Sequence, residues 1–192
     1  MTDSKISSLL VDINNRLEEG KGPDKANLAV FLEEIKEVME NFFEEDVNRD
    51  NKGKLRLSAV GKEDRKLWYD YHGYDKEPLG TDTRIKFCFG NLLEAFVLLL
   101  VKEAGHTVTE CQKEVTVGKV KGHIDCLIDG ELVDVKSASP YGFKKFVDGS
   151  ILKGDDPFGY MYQLSSYGKA LKKKIGYFLS IDKSGGGLNL LE

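Results

Sequence analysis

Cysteine is scarce and unpaired in this chain: Cys88, Cys111 and Cys126 are odd in number, far apart and without a C-x-x-C spacing. That pattern excludes a disulfide framework and a zinc ribbon. It suits small apolar side chains in a reducing compartment, and the expected location is cytoplasmic. No uncharged apolar run reaches the ~20 residues that span a bilayer. The start, MTDSKISSLL, lacks a basic stretch followed by an apolar core, so no membrane partner is expected. Internal repeats and low-complexity tracts are absent as well. A strong positive excess is also missing, since the net charge is −4 and the pI about 5.5. The charge is uneven, however. Residues 1–50 hold 6 Lys+Arg against 13 Asp+Glu, and the other 142 residues hold 22 against 19. An acidic front masks a mildly basic remainder, which leaves a nucleic-acid partner open.

At 192 residues, 21.5 kDa and 41% hydrophobic content, the chain fits one globular body with its own core. Two units are expected: an acidic helical extension over 1–50 and a core over 58–192. Lys5 to Leu17 reads as a short helix. Asp24 reads as the N-cap of a longer one, with Leu28, Phe31, Leu32, Ile35, Val38, Met39 and Phe42 at three- and four-residue spacing up to about Asp46. Residues 47–57 are polar and read as a linker. Ser58 is expected to cap a helix to about Tyr71, and a Gly/Pro loop through Gly73, Pro78 and Gly80 leads to a helix over Thr83–Glu103 stopped by Gly105. Strands follow over Thr107–Val117, Lys119–Ile128 and Glu131–Ser137, the last ended by Pro140. Asp156 and Pro157 suit the start of a helix over Phe158–Lys173. A strand over Ile175–Asp182, a turn at Ser184–Gly187 and a short final strand complete the pattern, which is that of an α/β body with a mixed sheet.

The most informative stretch is DCLIDGELVDVK, Asp125 to Lys136. Asp129-Gly130 is a strong signal for a two-residue hairpin turn, because a type I′ turn needs φ > 0 at both central positions. That turn sets Ile128 opposite Glu131, Leu127 opposite Leu132, Cys126 opposite Val133 and Asp125 opposite Asp134. Two facing acids repel, and Lys136 projects from the same face as Asp134. Ile124, Cys126, Ile128, Val133 and Val135 are expected on the other, apolar face. Acid-x-Lys alone means little, since Asp3/Lys5, Glu19/Lys21, Glu34/Lys36, Asp50/Lys52 and Asp64/Lys66 repeat it. Context sets Asp134/Lys136 apart: a hairpin turn at the right distance and a second acid brought opposite.

Glu94 is the only charge among the fifteen residues from Phe87 to Val101. A carboxylate in such surroundings must bind a proton or find a cation, unless it lies on an exposed helix edge. Asp125, Asp134 and a helix-borne Glu94 together would suit a hard divalent ion with oxygen ligands, Mg²⁺ or Mn²⁺. Lys136 beside it could orient or help deprotonate a water, or stabilise charge on a phosphoryl oxygen; the plainer alternative is a surface ion pair. Gln163 and Tyr167 are four residues apart and share a helix face. Lys169, Lys172, Lys173 and Lys174, with Lys144 and Lys145, could form a basic rim for backbone phosphates or simply a solvated helix end.

The GxxxE of Gly90–Glu94, the GxxD of Gly122–Asp125, the DVK of Asp134–Lys136 and the QxxxY of Gln163–Tyr167 resemble, in order and approximate spacing, the RecB-like branch of the PD-(D/E)XK nuclease superfamily. The resemblance spans about residues 58–182, and SAVGKEDRKLWY looks like the family's SxxxxxxR helix, with Arg65 as its arginine. It implies a restriction-endonuclease-like α/β/α core that cuts DNA phosphodiesters with one or two Mg²⁺ or Mn²⁺ ions. By position, Asp125 and Asp134 would be metal ligands and Lys136 the catalytic lysine. Glu94 would be the acid supplied by the preceding helix, and Gln163 and Tyr167 would hold substrate and site together. Arg65, Lys144, Lys145, Lys169 and Lys172 would contact DNA. Some relatives bind an iron–sulfur cluster through four cysteines; Gly61–Asp64 and the tail carry none, so no cluster is expected. The short chain looks like the stand-alone nucleases of phages and of mitochondrial or CRISPR-associated systems, and the activity expected from the resemblance is that of an exonuclease acting on ends or single strands in recombination, repair or replication. The alternatives are a structure-specific endonuclease or junction resolvase, a DNA-binding or assembly module without turnover, and a purely structural helical-adaptor protein that leans on the amphipathic segment from Leu28 to Phe42. The segment from Leu28 to Phe42 could serve as an oligomer or partner contact, or as a lid.

Overall fold

The computed structural model describes residues 5–44, 53–74 and 77–192. Two helices open the chain, α1 (Leu9–Glu18) and α2 (Lys25–Phe43), the second capped by the Asp24 carboxylate, which accepts from the amides of Ala26 and Asn27. The expected end of this helix at Asp46 and most of the 47–57 linker lie outside the described residues. Leu57, at the end of that linker, is buried in a 3₁₀ turn over Leu57–Ala59. The helix expected from Ser58 starts later, as α3 (Asp64–His72), because Gly61 has φ +89° and packs against Gly159 and Tyr162. α4 (Thr81–Glu103) follows.

The two long strands expected next are each split. β1 (Val108–Thr109) and β2 (Glu114–Val117) are separated by Glu110 and Gln112 at positive φ. β3 (Val120–His123) and β4 (Cys126–Ile128) are separated by Ile124 and Asp125. β5 (Glu131–Ala138) completes the hairpin with β4. Pro140 does end β5, but it also opens a helix that the sequence reading lacked, α5 (Pro140–Val147), with Ser139 as N-cap and proline in the first turn. α6 (Tyr160–Leu171) begins two residues later than expected, because Gly159 takes φ +75°; the Asp156 carboxylate still accepts from the amides of Tyr160 and Met161. β6 (Gly176–Asp182) and β7 (Leu188–Leu191) end the chain.

The main sheet runs β1-β4-β5-β6-β7, with β5 and β6 parallel and the other pairs antiparallel; β2 and β3 form a separate ribbon. Side chains alternate across β5 and β6. Val133, Val135, Leu179 and Ile181 therefore meet α4 and the N-terminal segment on one face. Leu132 and Phe178 meet Phe146 of α5 and Leu164 and Tyr167 of α6 on the other. The result is a three-layer α/β/α body with a mixed sheet, in agreement with the expected fold class. Ile6, Leu9 and Ile13 are fully buried in the first of these layers against Val97, Leu98 and Val101, so the N-terminal segment shares the core of the residues that follow it. Among the described residues no helix is long and apolar enough to cross a membrane.

Candidate active site

The Asp-Gly turn forms as expected, with φ +50° at Asp129 and +83° at Gly130, and sets the predicted register: Ile128 opposite Glu131, Leu127 opposite Leu132, Cys126 opposite Val133. The ladder stops there. Gln112 donates its amide to the Asp125 carbonyl and Ile124 donates to the Lys113 carbonyl, which pulls this segment away from β5. Asp125 is thus not a ladder partner of Asp134. Its carboxylate Oδ2 instead accepts the free amide of Val135 at 2.8 Å. The same detour turns Ile124 into the α5/α6 layer, opposite to the face expected for it.

The opening of the strands shapes the candidate site. Asp134 is 1% exposed and Lys136 Nζ lies 2.5 Å from its Oδ2, but neither Asp134 oxygen has a directional hydrogen bond among the described residues. Asp125 and Asp134 are close enough that a proton on one would be hydrogen-bonded by the other. Burial pushes Asp134 up to about 7, with the charge of Asp125 adding to it, and burial likewise pushes Asp125 up to about 6. Burial would lower Lys136, but the two aspartates outweigh it and hold its ammonium above the usual lysine range. Two acids and one ammonium in a dry corner leave one negative charge without a partner.

Glu94 projects from α4 toward this corner and is partly buried. Its Oε1 accepts from Gln112 Nε2 at 3.1 Å, and burial raises its pKa while Lys136 opposes the rise. No set of three His, Cys, Asp or Glu side chains among the described residues closes on one point tightly enough to enclose an ion. Glu94 and the two aspartates feel one another's charge. On the opposite side, Gln163 Nε2 donates to Tyr167 Oη at 3.0 Å, and Tyr167 is 1% exposed, within electrostatic reach of Asp134 and Asp125.

The expected rim divides. Lys145 sits near the end of β5, paired with Asp155 at 2.5 Å, and Lys144 is exposed beside it on α5. Lys169 and Lys172 are at the far end of α6, where Lys173 lies 3.8 Å from Glu131 at the start of β5. The Arg65 guanidinium lies over the Tyr69 ring of its own helix, 5.8 Å from the centroid. Two residues at the site escaped the sequence reading. Tyr160 carries Lys136 Nζ 5.0 Å above its ring, and its spacing of three and seven from Gln163 and Tyr167 could have revealed it. Gln112 could not be found, because the strand pattern hides the break in which it lies.

The glycine of the GxxD motif has a steric cause. A Cβ on Gly122 would come within 2.7 Å of Leu57 Cβ and 3.0 Å of Tyr167 Cε1, so only glycine lets β3 approach that ring. Gly90 differs, since a Cβ there would meet only Ser137 Oγ at 3.5 Å.

No family model and no curated protein matches the sequence. Among solved structures, the chain is similar to an alkaline exonuclease from Laribacter hongkongensis, with a TM-score of 0.49 and 17% identity over 80% of this chain and 81% of that one. It is also similar to the same enzyme in complex with dAMP, with a TM-score of 0.44 and 14% identity over 74% and 80%.

Proposed function

We propose that this chain is a divalent-cation-dependent DNA nuclease, an exonuclease working at DNA ends or on single strands. The observation that carries the reading is Asp134: a carboxylate buried beside a second carboxylate, with no directional hydrogen bond and a single lysine for company. Such an arrangement is costly unless it serves a charge that arrives from outside. Asp125 and Asp134 offer hard oxygen donors that fit Mg²⁺ or Mn²⁺, and Glu94 stands where a third acid could approach. A bound ion of this kind supplies Lewis acidity toward a phosphoryl oxygen and a lowered pKa for a water.

The protein's own part falls to Lys136. Held protonated by two aspartates, it is a donor rather than a base, and it is placed to stabilise negative charge growing on a phosphoryl oxygen. Tyr160 beneath the ammonium and the Asp134 contact fix its position. Gln163 donates to the Tyr167 hydroxyl, which lies within electrostatic reach of both aspartates.

The test is to incubate the protein with end-labelled linear, covalently closed and single-stranded DNA, in Mg²⁺, in Mn²⁺ and in EDTA. Metal-dependent degradation of linear or single-stranded DNA with closed circles intact is the expected result. Nicking of circles would replace the exonuclease with an endonuclease, and metal-independent retention without cleavage would replace the enzyme with a binding module.

A further inference from the structure

Beyond Lys136, at the C-terminal end of β5, a pocket of about 420 Å³ opens between α5 and α6. That volume lies within the range of small-molecule sites. Lys136 and Ser137 line the pocket together with the rings of Tyr141, Phe158 and Tyr160. Tyr141 is 74% exposed and Phe158 64%, so two large ring faces stand open to solvent. Behind them the rings are stacked: Phe158 on Tyr160 at 5.4 Å and 28°, and Tyr160 on Phe146 at 6.3 Å and 23°. Cations flank the rings, Lys136 over Tyr160 and Lys145 over Tyr141, each 5.0 Å from the centroid. Lys145 is already neutralised by Asp155, while Lys183 lines the same pocket from the start of the β6–β7 connection.

We propose that this pocket binds an unpaired nucleobase of the DNA strand whose phosphate lies at Lys136; the proposal rests on the nuclease reading above and extends it. Open aromatic faces together with cations match a nucleotide, which offers a π face at one end and an anion at the other. The pocket is continuous with Lys136, so one strand can engage both. A base inside a duplex has both faces covered by its neighbours and cannot lie against Tyr141 or Phe158. The pocket therefore selects a frayed end or a single strand.

The probe is deoxythymidine 5′-monophosphate titrated by NMR into the metal-free protein in EDTA, with deoxyribose 5-phosphate as the partner that lacks a base. The nucleotide is expected to bind, the sugar phosphate to bind at least about tenfold more weakly, and the double variant Tyr141→Ala/Phe158→Ala to weaken nucleotide binding by roughly tenfold or more. Both rings are largely exposed, so the variant should keep the wild-type melting temperature. Equal affinity of the two probes would reduce the pocket to a phosphate site and overturn the proposal. Wild-type affinity in the double variant, or no binding at millimolar nucleotide, would also overturn it. The two readings fail separately: DNA degradation without ring-dependent binding removes the pocket alone, and ring-dependent binding without degradation removes the nuclease alone.

Discussion

His106 Nδ1 lies 2.5 Å from Asp129 Oδ2, in a side chain with no exposure, and Asp12 Oδ2 sits 3.2 Å from the other ring nitrogen. One imidazole thus ties helix α1 to the turn of the β4–β5 hairpin, and Lys5 reaches the same Asp129 at 3.4 Å. The turn that sets the register of Asp134 is anchored by the N-terminal segment. His106→Ala should lower stability by roughly 2–3 kcal/mol, a melting shift of about 4–12 °C for a chain of this size. A thermal melt showing less than about 2 °C of change would mean that this link is idle.

Asp134 gives a pH prediction. Its folded pKa, about 7, lies above the ordinary carboxylate value, as does that of Asp125 at about 6. The folded protein therefore binds more protons than the unfolded chain across this interval, and metal-free stability falls as pH rises from about 4 to about 7. Asp134→Asn should flatten the fall and raise the metal-free melting point at pH 8, by the equivalent of roughly 1–3 kcal/mol, with little effect at pH 4. A lowered melting point at pH 8 would show that the Lys136 contact outweighs burial and repulsion.

Lys136→Ala removes an ammonium but no oxygen donor. Cleavage should fall by roughly 100-fold or more, while stabilisation by Mn²⁺ in a thermal shift assay persists. Wild-type cleavage in this variant would remove the lysine from the chemistry.

The two motif glycines should behave differently. Gly122→Ala forces a methyl group against Leu57 and Tyr167 and should cost about 1–3 kcal/mol, together with activity, since the Tyr167 ring must move. Gly90→Ala meets only an ordinary contact and should keep stability within about 1 kcal/mol of wild type. Urea titrations of both variants would separate them.

Local chemistry made part of this fold readable in advance. Asp129-Gly130 admits one kind of turn, and that turn specified the register from Cys126 to Val133 and the shared face of Asp134 and Lys136. The isolation of Glu94 in an apolar helix likewise called for a proton or a cation; in the structure burial raises its pKa and the charge of Lys136 opposes the rise. What stayed hidden depends on tertiary context. Glu110 and Gln112 adopt positive φ without being glycine, so no pattern announces that the strands break there, and the break is what redirects Ile124 and the Asp125 carboxylate. Pro140 read only as a strand stop, whereas with Ser139 as N-cap it is also a helix start. Ile6, Leu9 and Ile13 look like one stripe of a minor helix until α4 and the sheet are present to bury them.

The most direct measurement is the anomalous difference map of crystals grown with Mn²⁺. The account predicts a peak within roughly 2.0–2.3 Å of carboxylate oxygens from both Asp125 and Asp134. A protein that degrades DNA with Mn²⁺ while the map places the ion elsewhere, or leaves both aspartates without a metal, would contradict it.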